Sequence, residues 1–165
     1  MAYINKEQVK EIRNALKEKF PEIKFSVRKE NGSSVHVNIM KSPYNFSYLN
    51  RFRPDGHTQL NRYHLPEGPH KNLFEEILEI ILFGSSRKFY DNSDAQIDYF
   101  DTAFYVHMGI GDWGKGYEMI PWEKAKKMVA KKVKKKIAKK SSKKNVKGIS
   151  KSKANQLASD FISSI

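Results

Sequence analysis

The positive charge of this 165-residue chain is concentrated near one end, which limits where a folded core can form. Residues 121–153 contain fifteen lysines and a single acid, Glu123. Since the whole chain has a net charge of +13, residues 1–120 sum to a net charge of zero. They also hold nearly all the aromatic and most of the branched aliphatic side chains. We therefore predict a globular domain over residues 1–120 and a basic, amphipathic or flexible tail over residues 121–165.

Composition excludes several classes of protein. The chain has no cysteine, so it has no disulfide framework, no thiolate nucleophile and no zinc site with Cys ligands. Residues 1–7 turn polar at once and do not resemble a signal peptide. The longest apolar run, 77–83, is interrupted by Glu79 and is too short to cross a bilayer. We therefore expect a soluble protein of the cytoplasm.

Two local patterns predict the first elements of the domain. Asn5 and Gln8 have the spacing of a capping box, and Pro21 ends the helical periodicity that follows, so we predict a helix over residues 6–19. Two runs of alternating apolar residues then flank Asn31-Gly32, which is typical of a β-hairpin. Odd-numbered side chains of the hairpin should face the helix. The apolar positions are Val9, Ile12, Leu16, Phe20, Phe25, Val27, Val35, Val37 and Ile39.

The remaining elements follow from the same kinds of pattern. Helical spacing predicts a second helix over 70–83, and alternation predicts a third strand over 104–110. Pro121 suits the first turn of another helix, which would have a thin apolar stripe. Residues 141–153 resemble a flexible linker. Residues 157–165 could form a last short helix. The predicted fold class is α+β: one small antiparallel sheet covered by two helices, plus a lysine-rich helical or flexible C-terminal tail.

The lysine-rich tail is the plainest functional signal. Lysines that neutralise phosphates release condensed counterions, which gives tight, salt-sensitive binding to nucleic acid without sequence preference. Two alternatives stay open: a tail that is only solvated or meets a protein partner, and a basic helix lying on an anionic membrane. The lysines predicted to contact phosphates are Lys126, Lys127, Lys131, Lys132, Lys134, Lys135, Lys136, Lys139, Lys140, Lys143 and Lys144.

Residues 41–69 are rich in prolines, aromatic rings and arginines. Such a mixture suits single-stranded nucleic acid, because cations follow its backbone and aromatic faces accept its bases. The alternative is that the rings anchor a long loop to the sheet. Residues 49–52 and 60–63 echo each other and could pair as a hairpin that turns at Pro54-Asp55-Gly56. The predicted nucleic-acid contacts in this segment are Arg51, Arg53, Arg62, Tyr48 and Tyr63.

Carboxylates and histidines do not form a recognisable catalytic or metal site. The aspartates at 91, 94, 98 and 101 are the kind of ligand that Mg²⁺ or Mn²⁺ takes, but no nuclease partner stands at a suitable spacing. A turn followed by a helix N-cap explains them better. The histidines at 57, 64 and 70 lie in a proline-rich segment where no rigid element holds them for zinc. We therefore expect no enzyme activity, no catalytic residue, no metal and no cofactor.

Two other features have ordinary explanations. His36 and His107 fall on the outward faces of predicted strands, where a solvated or sheet-face role is the default. The glycine-rich run from Gly109 to Gly114 superficially resembles a dinucleotide fingerprint. It ends a strand, but no helix opens from its last glycine, so we reject that interpretation.

Several runs of residues carry a family resemblance. They are Val9-x-x-Ile12-Arg13-x-x-Leu16-x-x-x-Phe20-Pro21, Lys24-Phe25-Ser26-Val27-Arg28 and Gly32-Ser33-Ser34-Val35-x-Val37. Together they resemble one of the large-polyvalent-protein-associated domains, which are small domains of phages and conjugative elements. A later set, Asp91-Asn92-Ser93-Asp94, Asp98-Tyr99-Phe100-Asp101, Phe104-Tyr105-Val106 and Ile110-Gly111-x-Trp113, resembles phage proteins that share this N-terminal half. The resemblance covers none of the lysine tail.

This resemblance implies an α+β domain delivered with mobile DNA, for handling or protecting that DNA or for countering host defence. It carries over no catalytic residue. The insertion at 41–69 and the tail depart from the shortest members of the family, so a shared role need not explain them.

Two functional hypotheses follow. The first is a non-enzymatic nucleic-acid-binding accessory protein of a phage or mobile element, whose tail binds DNA or RNA phosphates without sequence preference. If a phage encodes it, this protein works in the cytoplasm of the host cell. The second is a protein-interaction module that inhibits or modulates a host or phage protein, such as a defence protein, through residues 44–63.

Overall fold

The computed structural model describes residues 1–86, 88–94 and 96–143 of the chain. It confirms the α+β class, and it divides into two units between Met119 and Ile120. Within these residues, the first unit contains two helices and five strands, and the second contains one helix. In chain order the elements are α1 (Lys6–Lys19), β1 (Lys24–Glu30), β2 (Ser34–Ser42), β3 (Thr58–Leu60), α2 (Lys71–Leu82), β4 (Tyr105–Ile110), β5 (Glu118–Met119) and α3 (Trp122–Lys143).

Local signals of the sequence determine α1 and the hairpin that follows it. Asn5 Oδ1 accepts the Gln8 N–H (2.7 Å), and Gln8 Oε1 accepts the Asn5 N–H (2.9 Å), so the capping box is confirmed. Between β1 and β2 the chain turns at Asn31 and Gly32, whose φ angles are 49° and 77°. Asn and Gly tolerate this left-handed conformation better than other residues, which explains why the hairpin turns there.

The sheet is mixed rather than antiparallel, which corrects our prediction. Its strand order is β1-β2-β4-β3, with β5 beside β2. The β1–β2 and β3–β4 pairs are antiparallel, but β2 and β4 are parallel, with His36 opposite His107. Parallel neighbours require a long crossover connection, and here the chain between β2 and β4 includes β3 and α2. That connection is not visible in local alternation, so the parallel pair was missed.

The hydrophobic core lies on one face of the sheet and includes the apolar faces of α1 and α2. The odd-numbered residues Val27, Val35, Val37 and Ile39 are buried, so the predicted orientation of the hairpin is confirmed. In β4 the buried hydrophobic side chains are those of the even-numbered Val106, Met108 and Ile110. Alternate residues of the same strands point to the opposite face, which the two helices do not cover. This second face carries the candidate site.

Residues 41–69 pack onto the domain but do not form the proposed hairpin. β3 pairs with β4, and residues 49–52 form turns instead of a strand. Phe46 is fully buried against Phe74 and Tyr117, with ring centroids 5.6 and 5.1 Å away. Tyr44 and Phe52 are half-buried against the same core. For these three rings, anchoring of the long loop is the explanation that the structure supports.

Residues 91–102 also differ from the prediction. We expected a turn and a helix N-cap, but two isolated antiparallel bridges form, Asp91 with Thr102 and Asp94 with Tyr99. Asp91 Oδ1 accepts the Ser93 N–H, and Asp94 Oδ1 accepts the Gln96 N–H (2.9 Å). Aspartates that bond the backbone two residues ahead stabilise turns as readily as helix starts, which accounts for the error.

The lysine-rich segment begins with a helix, as its apolar stripe predicts. α3 extends from Trp122 to Lys143, and its side chains are described as far as Lys134. The linker predicted over 141–153 was wrong for residues 141–143, which are the last residues of α3. The rest of that linker and the short helix predicted over 157–165 lie outside the described residues.

Candidate functional site

The uncovered face of the sheet contains an open groove of about 550 Å³, which we call the sheet groove. Strands β1 to β4, His57 just before β3 and the loop after β4 all contribute side chains to it. Because alternate strand residues share a face, the same pattern that buries the core residues brings polar side chains together here. The lining residues are Arg28, Lys29, Glu30, His36, Asn38, His57, Gln59, His107, Asp112 and Trp113.

A stacked pair of histidines forms one wall of the sheet groove. The imidazole rings of His36 and His107 have centroids 4.4 Å apart and planes inclined by 17°. Glu30 Oε2 lies 2.6 Å from His36 Nε2. Burial and the neighbouring His107 lower the pKa of His36, and Glu30 only partly opposes them. At neutral pH His36 is therefore uncharged, and its ring can donate and accept hydrogen bonds.

The floor of the groove is shaped by Asn38, His57 and Gly109. His57 lies so close to β4 that a Cβ atom at Gly109 would be 2.3 Å from His57 Nε2 and 3.0 Å from Asn38 Oδ1. Burial lowers the pKa of His57, although Asp112 opposes this. Asn38 is only 4% exposed, and it lines the sheet groove. Its amide is a polar group that a molecule in the groove can reach.

The rim of the sheet groove combines an ion pair with an exposed ring. Arg28 Nη2 lies 2.9 Å from Asp112 Oδ1, which neutralises both charges. Trp113 is 76% exposed, and its ring centroid lies 5.7 Å from that of His57. Tryptophan is usually well buried, so an exposed one beside a groove is a candidate contact for a ligand.

A second groove of about 620 Å³ adjoins the first on the same face. Gln59 and His107 line both grooves, so together they form one continuous trough. The second groove contains Tyr105, which is 40% exposed, and Tyr63, which is 68% exposed. Tyr105 and His107 alternate along β4 and point to the same face.

Of the loop residues predicted to contact nucleic acid, the structure brings only Arg62 and Tyr63 to this trough. Arg62 pairs with Asp91 (2.6 Å), and its guanidinium lies over the rings of Tyr63 and Phe89. Its side chain is only 12% exposed, which fits a structural role. The other three residues, Tyr48, Arg51 and Arg53, are exposed elsewhere in the segment.

Tyr48 packs near His70, with ring centroids 5.7 Å apart, and passes close over Gly68. His70 also contacts Tyr44 and Phe46, at 5.1 and 5.4 Å between ring centroids. His57 and His70 therefore lie in different parts of the domain, one in the sheet groove and the other among the rings of the loop. His64 is exposed. Among the described residues, no group of three or more His, Asp or Glu side chains is arranged to hold a metal ion.

The predicted tail lysines lie on α3 as far as Lys143. Lys126, Lys127, Lys131 and Lys134 are exposed, and Lys132 is half-buried. Lys135, Lys136, Lys139, Lys140 and Lys143 belong to the helix, but their side chains are outside the description, and Lys144 lies beyond the described residues. No helix in the described part of the chain is long and apolar enough to cross a membrane.

The chain is an α+β domain with a basic extension. The domain has a mixed sheet with helices on one face and an open trough on the other, and a lysine-rich helix follows it in the sequence. Residues 3–111 match the family described as large polyvalent protein associated domain 29. The chain belongs to this family, and the resemblance to a phage-associated domain is confirmed. The match ends before α3. Comparisons with curated proteins and with solved structures gave no match.

The trough cannot be recognised from local sequence patterns, because its residues come from distant parts of the chain. His36 and His107 were correctly placed on outward faces, but their contact depends on the parallel pairing of β2 with β4. Trp113 carried the one usable signal: a large ring in a glycine-rich run has few local partners to bury it.

Proposed function

We propose that this protein is a non-enzymatic nucleic-acid-binding accessory protein of a phage or mobile element, working in the cytoplasm of the host cell. In it, the lysines of α3 contact phosphates without sequence preference. One observation carries the proposal: Lys127, Lys131 and Lys134 are exposed at positions i, i+4 and i+7 of a helix. This spacing places the three ammonium groups on one helical face.

The geometry of α3 suits a row of phosphates. With a rise of about 1.5 Å per residue, Lys127 and Lys134 are separated by roughly 10 Å along the axis. The apolar positions Ala125 and Val129 are buried and lie on another side of the helix, so the lysine face is not interrupted by them. Each phosphate that a lysine neutralises releases counterions, so the binding free energy depends strongly on salt.

The charge distribution of the chain supports the same conclusion. The only acid in residues 121–153 is Glu123, which lies in the first turn of α3. A negative charge there interacts favourably with the helix dipole and stabilises the helix. Residues 1–120 are net neutral, so they add no general attraction to phosphate. Membership of a phage-associated family supports the part of the proposal that assigns the protein to a phage or mobile element.

The test compares two matched triple variants of the full chain. Lys127→Gln/Lys131→Gln/Lys134→Gln removes the lysine face, while Lys6→Gln/Lys10→Gln/Lys17→Gln removes three exposed lysines from α1. Fluorescence anisotropy with duplex DNA across a salt series should show a log K against log [salt] slope that is shallower by up to about 3 for the first variant. The α1 variant should retain the parental slope. If both variants change the slope equally, or if neither variant changes it, the proposal is rejected.

The non-enzymatic part of the proposal has its own test. The aspartates at 91 and 94 bond backbone amides in turns, and Asp91 also pairs with Arg62, which supports a structural role for them. Labelled DNA and RNA should therefore remain intact after incubation with the protein and Mg²⁺ or Mn²⁺. Cleavage that Asp91→Asn abolishes would assign catalysis to this segment.

A second candidate function is a protein-interaction module that modulates a host or phage protein. Three apolar side chains on the turn of residues 91–102 favour it: Ile97, Tyr99 and Phe100 are 72, 53 and 65% exposed. Exposed apolar clusters of this kind commonly mark protein interfaces. Pull-down from nuclease-treated host extract should retain a partner with the parental chain and lose it with Ile97→Ser/Phe100→Ser, if this function is correct.

A further inference from the structure

Exposed rings are distributed along the trough on the uncovered face of the sheet. Trp113 lies at one end, the His36–His107 pair lies in the middle, and Tyr105 and Tyr63 lie at the other end. A water-exposed face of a sheet normally carries polar residues, so several exposed rings on one face require an explanation. Flat rings with one open face are the side chains on which unpaired bases stack.

The spacing of these rings suits a strand whose bases are separated. Tyr105 and His107 are two residues apart on β4, which corresponds to about 7 Å. Neighbouring bases of one strand in a duplex are about 3.4 Å apart. Rings at twice that distance therefore match unstacked bases of an extended single strand rather than a duplex. The trough is continuous through Gln59 and His107, so one strand can pass through both grooves.

Asn38 adds a polar group to the sheet groove. It is only 4% exposed and lines the groove beside His36 and His57. An amide both donates and accepts, which is what the edge of a base requires.

Charge in the trough is balanced. Arg28 is paired with Asp112, and the other two charged residues that line the sheet groove, Lys29 and Glu30, are opposite in sign. Lys29 also lines the sheet groove, with its ammonium 5.0 Å from the ring centre of Tyr3. With so little net charge, stacking rather than phosphate attraction has to supply most of the binding free energy. Such binding depends only weakly on salt.

We propose that this trough binds a single-stranded segment of nucleic acid, with bases stacked on Trp113 and Tyr105 and a base edge hydrogen-bonded to Asn38. The inference extends the proposed function to a second surface, which lies in the first unit and does not use the lysines of α3. It names the substrate as single-stranded, whereas the lysine face does not distinguish single strands from duplexes.

Fluorescence of the two tryptophans offers a direct test in the full chain. Trp122→Phe leaves Trp113 as the one reporter, and Trp113→Phe leaves Trp122. Addition of dodecamers of dT or of U to the Trp122→Phe chain at high salt, where phosphate contacts are screened, should quench the remaining fluorescence. Matching duplexes should quench it much less. Binding detected by anisotropy without any quenching of Trp113 would overturn the proposal.

Affinity measurements provide the second readout. Trp113→Ala should weaken single-strand binding at high salt roughly 5- to 100-fold, from the known contribution of one stacked base. Trp113→Phe should restore most of it, because a ring is present again. Phe100→Ala, which removes another largely exposed ring from a different surface, should leave the affinity unchanged. Equal losses from Trp113→Ala and Phe100→Ala would reject the trough.

The two proposals can fail separately. If the trough is wrong and the lysine face is right, binding keeps its steep salt dependence and ignores Trp113→Ala. If the reverse holds, single-strand binding persists at high salt in the α3 triple variant. The dT and U dodecamers distinguish DNA from RNA as the source of the strand: tighter binding of one assigns it as the preferred ligand, and equal binding assigns both.

Discussion

His57 lies across β4 at the position of Gly109, and its Nε2 occupies space that a Cβ atom at residue 109 would need. The distance would be 2.3 Å, far below van der Waals contact. Residues 41–69 can therefore approach the sheet here only because residue 109 has no side chain. This relationship places the histidine in the sheet groove and explains one glycine of the run from 109 to 114 that resembled a dinucleotide fingerprint.

Gly109→Ala should displace the His57 ring while leaving the fold intact. The nearest atom belongs to a side chain that can rotate, so we expect a loss of about 1 kcal/mol in the free energy of unfolding. The NMR signals of His57 and Trp113 should shift, since their rings are neighbours. His57→Ala/Gly109→Ala should recover most of the stability, and failure to do so would show that the clash involves another group.

Gly111 leaves less room for a side chain than Gly109 does. Its φ is 72°, and an added Cβ would lie 2.1 Å from the carbonyl oxygen of Gly56, a backbone atom that cannot rotate away. We expect Gly111→Ala to lower the free energy of unfolding by about 3 kcal/mol or more in urea denaturation. Gly114 has a similar φ of 77° but nothing within 4 Å. Gly114→Ala should therefore lower it by only about 1 kcal/mol, and equal effects would mean that backbone conformation alone matters.

The parts of the fold that sequence predicted are those held by local interactions. Asn5 with Gln8 and Asn31 with Gly32 act within a few residues, so their helix and turn could be recognised directly. The parallel pairing of β2 with β4 depends on contacts between residues such as Val35 and Val106, which are far apart in the chain. No local pattern encodes that choice, because alternation is the same for parallel and antiparallel neighbours.

The candidate site was predictable only in part, for the same reason. The lysines of α3 are adjacent in sequence, so their shared role could be inferred. The trough instead joins β1 to β4 with the loop after β4, and its histidines were recognised as outward-facing but not as a pair. Arg62 lies in a segment rich in rings and arginines, which is why a contact with nucleic acid is predicted for it. Its actual partner, Asp91, is 29 residues away, so local patterns do not show that the charge is paired.

Asp91 should be important for stability because it is the anion that faces Arg62. Arg62 Nη2 bonds Asp91 at 2.6 Å, and Arg62 Nη1 is buried without a hydrogen-bond partner in the described part of the chain. Asp91→Asn leaves the guanidinium without its counter-charge, so we expect a loss of about 2 kcal/mol in urea denaturation. Glu67→Gln, which breaks the exposed pair with Lys71, is the matched control and should change the midpoint little.

The acid side of this prediction follows from the pKa of Asp91. Burial opposes its ionisation, but hydrogen bonds from Ser93 and Tyr63 and the charge of Arg62 outweigh burial and lower its pKa. A carboxyl whose pKa is lowered by folding stabilises the protein above its unfolded value of 3.8, and this stabilisation disappears as pH falls through the folded pKa. Asp91→Asn should therefore reduce the acid sensitivity, and an unchanged pH profile would contradict the pairing.

Tyr117 should stabilise the junction between β2 and the loop that follows it. Its hydroxyl lies 2.6 Å from the carbonyl oxygen of Tyr44 and 3.1 Å from that of Ser42, and it also bonds the buried Ser42 hydroxyl. Tyr117→Phe removes these bonds, so the free energy of unfolding should fall by about 1–2 kcal/mol. Tyr99→Phe changes an exposed tyrosine and serves as the control.

Alkaline pH provides a second test of Tyr117. Burial raises its pKa to about 12, so the unfolded chain loses this proton first, near pH 10. Stability should therefore decline as pH rises above 10, and Tyr117→Phe should show a smaller decline. Tyr44, whose pKa is also raised to about 12 by burial and by Glu22, retains part of the effect. A parallel decline in both chains would show that Tyr117 does not contribute.

The His36–His107 pair predicts the behaviour of the domain in mild acid. Folding lowers the pKa of His36 from 6.5, through burial and then through His107, so protons bind more readily to the unfolded chain. The stability should be complete above about pH 6.5 and should decrease as pH falls below it. His107→Gln removes the neighbouring charge and should weaken this dependence, measured as the urea midpoint at pH 7.5 and 5.5. His64→Gln, at an exposed position, should not change it, and a similar change in both variants would show that the stacked pair is not the cause.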